Sequence, residues 1–288
     1  MADSPRYLVT GASGQLGRLV VEALAARVGA ANVAAVVRDP AKAGALFPAG
    51  VSVRTADYDQ PATLDSAFAG AERLLLISSN AVGSRTAQHR NAIEAAVRAG
   101  VRRIAYTSLL HADRSSLGLA EEHRQTESLL AASGLPHSLL RNGWYNENYV
   151  AGIAGALAQG KFHGAAAAGR ISGASRQDYA EAAVVALVED EAPLTVHELA
   201  GDEAFTLTEF AAELSRQSGR DIPYVDLPEA GYRQLLEAAG LPAPFAALLA
   251  DSDAGAAAGA LFDEGRALSR LIDRPTTPIA ASIAAALG

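Results

Sequence analysis

Tyr7-Leu-Val-Thr-Gly11-Ala-Ser-Gly14-Gln-Leu-Gly17 is the stretch on which the fold turns. An apolar run of β-formers breaks into glycines, and the residues after it, Gln15 to Arg27, carry apolar side chains at three- and four-residue spacing. A strand that turns through glycine into a helix gives each glycine a separate task. Gly11 makes the tight turn, Gly14 keeps the helix entrance free of a side chain, and Gly17 lets the helix lie close on its strand. The unpaired amides of the first helical turn then face whatever anion enters, and the pyrophosphate of a dinucleotide is the anion this arrangement suits.

The spacing G-x-x-G-x-x-G differs from the commoner G-x-G-x-x-G and points to the extended or atypical branch of the short-chain dehydrogenases. Outward from the motif, short apolar runs alternate with segments of helical period through residue 141. The strands expected are Arg6–Thr10, Val33–Arg38, Val51–Thr55, Arg73–Ser78, Arg102–Thr107 and Ser138–Arg141. The helices expected between them include Gln15–Arg27, Ala62–Ala69, Arg85–Ala99 and Leu119–Ser133. Alternation of this kind predicts an α/β fold, a Rossmann doubly wound parallel sheet of six such units.

Beyond Trp144 the alternation stops. The pattern there predicts a smaller, mostly helical substrate lobe over 144–288, interleaved with the sheet of 1–143 and holding a few short strands such as Val196–Leu199. Thr206-Leu-Thr-Glu209 has capping-box spacing and opens a helix through Gln217. Thr277-Pro278 has the form of a cap and first helical position for a terminal helix.

The second strand ends Val36-Val-Arg38-Asp39, where a dinucleotide fold reads the adenine-side ribose. Arg38 would embrace a 2′-phosphate and select NADPH, whereas Asp39 would accept from a free 2′-hydroxyl and select NADH. The strand tip points at the ribose, and Asp39 before Pro40 can instead cap the next turn, so NADPH is expected, with NADH weaker. Ser78, Ser79 and Asn80 fall at the carboxyl edge of the sheet, either lining the nicotinamide-side ribose or turning back on their own backbone. Asp57 has the same two readings, adenine contact or turn.

Composition excludes several classes. The chain has 288 residues, 50% of them hydrophobic, enough for a large core. There is no cysteine, hence no disulfide and no thiolate chemistry, which suits a reducing compartment. A net charge of −8, with Lys42 and Lys161 as the only lysines, argues against nucleic acid as a partner. No signal pattern or long apolar segment is evident, so a soluble cytoplasmic protein without a membrane partner is expected. The six histidines, His89, His111, His123, His137, His163 and His197, show no metal-ligand spacing, and no metal is expected. No tyrosine is followed four residues later by lysine, which removes the usual proton-transfer pair of short-chain dehydrogenases. Walker and Gly-x-Ser-x-Gly signatures are missing as well.

The whole chain resembles the NmrA-like atypical short-chain dehydrogenase/reductase family, and within it the bacterial NAD(P)H:quinone oxidoreductases. The stretches carrying the resemblance are Thr10 to Gly17, Val36 to Lys42, Leu74 to Ser79, Gln88 to Asn91, Ala105 to Asp113, Leu140 to Asn148, Glu198 to Asp202, Leu249 to Asp253 and Gly259 to Asp263. The resemblance implies NADPH held by Gly11, Ala12, Ser13, Gly14, Gln15, Leu16 and Arg38, with Ser78, Ser79 and Asn80 nearby. It implies a pocket for a small-molecule quinone substrate at Asn142, Gly143, Trp144, Tyr145, Asn146 and Glu147, where Trp144 and Tyr145 either stack on a flat ring or belong to the core. His123 lies on the helix that carries the proton-transfer residue in relatives with the standard base, and is read as a solvated helix position. No catalytic side chain is assigned, since an electrophilic quinone held against the nicotinamide needs no strong base. The other member of this family to weigh is a redox sensor that binds the dinucleotide without consuming it.

Overall fold

The structure, a computed structural model, describes residues 5–43, 46–189 and 192–288. The Met1–Ser4 stretch, part of the expected absence of a signal, lies outside the described residues. The strands are β1 (Tyr7–Val9), β2 (Val33–Val37), β3 (Ser52–Thr55), β4 (Arg73–Leu76), β5 (Arg103–Leu109), β6 (His137–Asn142), β7 (Phe162–Gly164), β8 (Leu194–Leu199) and β9 (Tyr224–Asp226). The first six helices are α1 (Gln15–Val28), α2 (Pro61–Phe68), α3 (Arg85–Arg98), α4 (Ala120–Ser133), α5 (Asn146–Val150) and α6 (Ile153–Gln159). They are followed by α7 (Arg176–Val188), α8 (Leu207–Ser218), α9 (Glu229–Ala238), α10 (Ala243–Ala257), α11 (Ala267–Ile272) and α12 (Ile279–Leu287).

The main sheet has the order β3-β2-β1-β4-β5-β6-β8, with β1 parallel to both β2 and β4, β2 to β3, and β4 to β5. The order reverses between β1 and β4, which puts the switch point of the winding at the end of the glycine-bearing strand. β1, β2 and β4 are buried on both faces, which is why they read as continuous apolar runs. Leu8, Leu74, Leu76 and Ile104 share one core with Leu64 and Phe68 of α2 and Ile93 of α3. Each such side chain contributes about 1.5–3 kcal/mol by leaving water.

The sheet has seven strands where the sequence pattern predicts six. Val196–Leu199, read with the second lobe, belongs to β8 and stands beside β6. Its residues are largely exposed or half-buried, so it lacks the apolar run that marks the inner strands.

The chain divides into two interleaved compact units, one of residues 1–109, 122–141 and 176–197, the other of residues 110–121, 142–175 and 198–288. In the second unit β7 pairs in parallel with β9 and helices dominate. The capping box forms as expected: Glu209 N donates to Thr206 Oγ1 at 3.1 Å and Thr206 N to Glu209 Oε2 at 2.7 Å. Thr206→Ala is therefore expected to cost about 1 kcal/mol, read as a lower urea midpoint at unchanged slope. At the terminal helix the start is one residue later than expected, with Pro278 as the cap and Ile279 as the first helical residue.

Candidate functional site

A candidate dinucleotide site is built on β1, β2, β4 and α1, all in the first unit. Gly11 takes φ +60°, a conformation that favours glycine, and Gly14 N donates to Gly11 O at 3.0 Å to close the turn. Ala12 N reaches Val36 O at 3.3 Å, tying the loop to β2. A Cβ on Gly17 would collide with Gly11 O and lie 2.7 Å from Ala12 Cα, so this glycine sets the helix-to-strand approach. α1 begins at Gly14 without a side-chain cap and without an acidic residue in its first turn. The amides of Gln15, Leu16 and Gly17 thus precede the first intrahelical bond, from Arg18 N to Gly14 O at 3.0 Å. Gly11, Ser13, Gly14 and Gln15 are exposed, while Ala12 and Leu16 bury their side chains and offer only backbone.

At the tip of β2 the two competing readings separate. Asp39 Oδ1 accepts from Ala41 N at 3.0 Å and caps the short 3-10 turn that starts with Pro40. Arg38 is exposed and makes no ion pair among the described residues. An uncapped helix entrance and a solvent-facing guanidinium at this strand tip fit a pyrophosphate and a 2′-phosphate, respectively.

After β4 the chain is held by side chains from other elements. Thr10 Oγ1 donates to Leu75 O at 3.0 Å and accepts from Ile77 N at 3.2 Å; Thr107 Oγ1 accepts from Ser78 N at 2.8 Å. Ser78 and Ser79 are half-buried and Asn80 is exposed. The local alternative is realised weakly, by Ala81 N on Ser79 Oγ at 3.4 Å. At Asp57 the turn reading is realised outright, since its Oδ1 accepts from Asp59 N at 3.0 Å.

Asn142 to Glu147 lie in the second unit. Gly143 N donates to Leu199 O at 2.7 Å, and Tyr145 forms a parallel bridge with Ala174. Trp144 is buried and serves the core, while Tyr145 and Glu147 stay half-buried. Asn146, fully buried, donates to Thr277 O at 3.1 Å and Ser282 Oγ at 3.0 Å and so fastens the terminal segment. Asn142 is buried too; its amide nitrogen lies 3.4 Å from the Tyr145 hydroxyl and its Oδ1 has no partner. An unsatisfied buried acceptor costs about 1–3 kcal/mol, and a ligand N–H or hydroxyl would relieve it. In the same unit, burial pushes the Asp253 carboxyl up to about 6, against the hydrogen bonds from Ala165 N and Tyr149 Oη that favour its charged form.

His123 is not the solvated helix position its sequence suggests. It is buried, 2.8 Å from the Tyr106 hydroxyl, and burial together with Arg85 and His89 holds its imidazole well below the ordinary value. It belongs to a polar core between the sheet and α3–α4, with Glu127 accepting from Ser108 Oγ at 2.6 Å, from Arg141 Nε at 3.0 Å and from Arg141 Nη2 at 2.8 Å. Among the described residues no cluster of three or more metal-ligating side chains is found and no helix is long and apolar enough to cross a membrane.

Residues 11–191 match the family described as NAD(P)H-binding. The chain is 54% identical to quinone oxidoreductase 2 of Escherichia coli over 275 residues, 96% of each chain. The crystal structure of the NADPH-dependent quinone oxidoreductase of Escherichia coli complexed with NADPH superposes with a TM-score of 0.94 at 53% identity, covering 98% of this chain and 100% of that one. That of the Citrobacter triphenylmethane reductase complexed with NADP(H) gives 0.93 at 33% identity, covering 97% and 99%. With its glycine turn, uncapped α1 and seven-stranded sheet, the chain belongs to the NAD(P)H-binding, NmrA-like family of atypical short-chain dehydrogenases.

Proposed function

We propose that this protein reduces quinones to hydroquinones with NADPH in a single two-electron step. The observation that carries the cofactor choice is the engagement of Asp39 in its own cap, which leaves Arg38 as the charged group at the ribose end. The substrate class rests on kinship: relatives similar to this chain over nearly its whole length are named for quinones and for the reduction of triphenylmethane dyes, both conjugated electrophiles that accept hydride.

NADPH, when bound, supplies the hydride; the quinone takes it with one further proton, leaving NADP⁺ and hydroquinone. The amides of Gln15 to Gly17 receive the pyrophosphate and Arg38 the 2′-phosphate. Residues 1–143 supply these groups, with Ser78 to Asn80 beside the nicotinamide ribose, and 144–288 supply most of the substrate lobe. Asn142 offers its unpaired Oδ1, and the half-buried Tyr145 a ring face, to the substrate end. No side chain is assigned as proton donor; solvent meets that need because the acceptor is already electrophilic. A cysteine-free chain drawing on NADPH suits the reducing cytoplasm.

The test is NADPH consumption by the purified protein with benzoquinone or menadione, beside NADH and a protein-free blank. Saturable turnover with NADPH preferred is the expected result. Tight NADPH binding without turnover across several quinones would replace the enzyme by the redox sensor.

A further inference from the structure

Two buried side chains of α3 close on one residue of the loop after β4. His89 Nε2 accepts from Ser79 N at 3.0 Å, and Arg85 Nε donates to Ser79 O at 2.7 Å, so both main-chain groups of Ser79 are committed to this helix. A backbone amide only donates, so Nε2 bears no proton. The proton is therefore on Nδ1, 2.9 Å from Thr126 Oγ1, whose own hydrogen goes to Glu122 O at 2.8 Å. The chain of donors runs one way and fixes a single tautomer. Burial, with the nearby Arg85 charge, depresses His89 to about 3, and Tyr58 and Tyr106 pack edge-on against its ring with centroids at 6.2 and 5.4 Å. Arg85 is fixed in turn by Glu122, which lies 3.7 Å from its Nη1 and accepts from the Arg85 backbone amide at 3.1 Å.

What this clamp holds lies against the glycine turn. Ile77, two residues before Ser79, donates its amide to Thr10 Oγ1, and a Cβ on Gly11 would sit 3.4 Å from Ile77 Cβ. Only Ser78 separates the Ser79 peptide from Ile77, which connects the clamp to the turn that precedes α1.

We propose that His89 and Arg85 are positioning residues for the dinucleotide, fixing the Ser79 peptide and with it the Ile77 wall of the glycine turn. The proposal rests on the reading of Gly11 to Leu16 and Ser78 to Asn80 as cofactor-binding. Neither side chain touches the dinucleotide; each acts through the loop. The effect is indifferent to the 2′-phosphate, because the clamp is on β4's side of the turn and Arg38 is on β2's.

The experiment measures dissociation constants for NADPH and NADH, and melting temperatures, for His89→Leu, His89→Gln and Gly14→Val. His89→Leu, which strands the Ser79 amide, is expected to weaken both cofactors by about tenfold with their ratio unchanged. His89→Gln keeps a side-chain acceptor and is expected to recover binding to within about threefold, which a purely structural role would not require. If His89→Leu does not fold, Arg85→Gln carries the same expectation through the Ser79 carbonyl. His89 or Arg85 variants that bind both cofactors as the parent does, while Gly14→Val binds neither, would overturn the positioning role and leave the site standing. The same would follow from Leu and Gln variants weakened equally. Parent-like binding by Gly14→Val would instead bring down the site reading and the proposal with it.

Discussion

Gly14→Val is expected to yield a folded protein that binds neither NADPH nor NADH. The backbone at Gly14 has φ −71°, ψ 170°, an extended conformation open to any residue, and a Cβ there meets only Gly11 O, at 3.2 Å. Folding therefore suffers a tight contact and little more, and a melting temperature within a few degrees of the parent's follows. The valine methyls, by contrast, project from an exposed helix entrance over the first-turn amides, where the pyrophosphate must come. Ligand-induced stabilisation separates the two effects. At about a hundredfold excess over its dissociation constant NADPH should stabilise the parent by about 2.7 kcal/mol, raising its melting temperature, and leave the variant's unmoved. Gly17→Val is the contrasting control, because its Cβ would strike Gly11 O and Ala12 and prevent the helix from seating at all. A Gly14→Val protein that still gains stability from NADPH would take the glycine turn out of the binding site.

The parts of this fold that were legible from sequence are those where burial and periodicity coincide. β1, β2 and β4 are buried on both faces and read as unbroken apolar runs, and the glycine turn sits at the one point where the winding reverses. β8 is legible as a short strand at Val196–Leu199 but reads with the second lobe, because an edge strand with exposed residues lacks the apolar run that marks its neighbour β6 as part of the sheet. The polar interior was hidden for a different reason. His89 and His123 lie on the buried stripes of α3 and α4, in register with Ala92, Ile93 and Ala96 and with Ala120 and Leu130, but a polar residue in a mixed pattern does not mark that stripe by itself, and the packing of the two helices shows the burial. The holders of the Ile77–Ser79 loop, Thr10, Arg85, His89 and Thr107, come from the turn after β1, from α3 and from β5, so no local spacing connects them. The one available hint was a hydroxyl at the carboxyl end of each of the two apolar strands that flank β4, Thr10 after β1 and Thr107 late in β5.

Arg38→Ala is expected to raise the KM for NADPH by about ten- to hundredfold and that for NADH by no more than about twofold. The larger figure corresponds to the loss of a charge-assisted contact of about 1.5–3 kcal/mol, present only when a 2′-phosphate is there to receive it. Arg38 is exposed, so the substitution should leave the melting temperature unchanged and the kinetic effect can be read directly. Asp39→Ala tests the other half of the argument. Its carboxylate accepts from Ala41 N and caps a 3-10 turn, so its loss should cost about 1 kcal/mol of local stability and leave the preference for NADPH intact. Were Asp39 reading a 2′-hydroxyl instead, its removal would weaken NADH selectively, and Arg38→Ala would change both cofactors alike. The pair of variants thus assigns the ribose end of the site to one of two adjacent residues whose charges are opposite and whose roles the cap geometry separates.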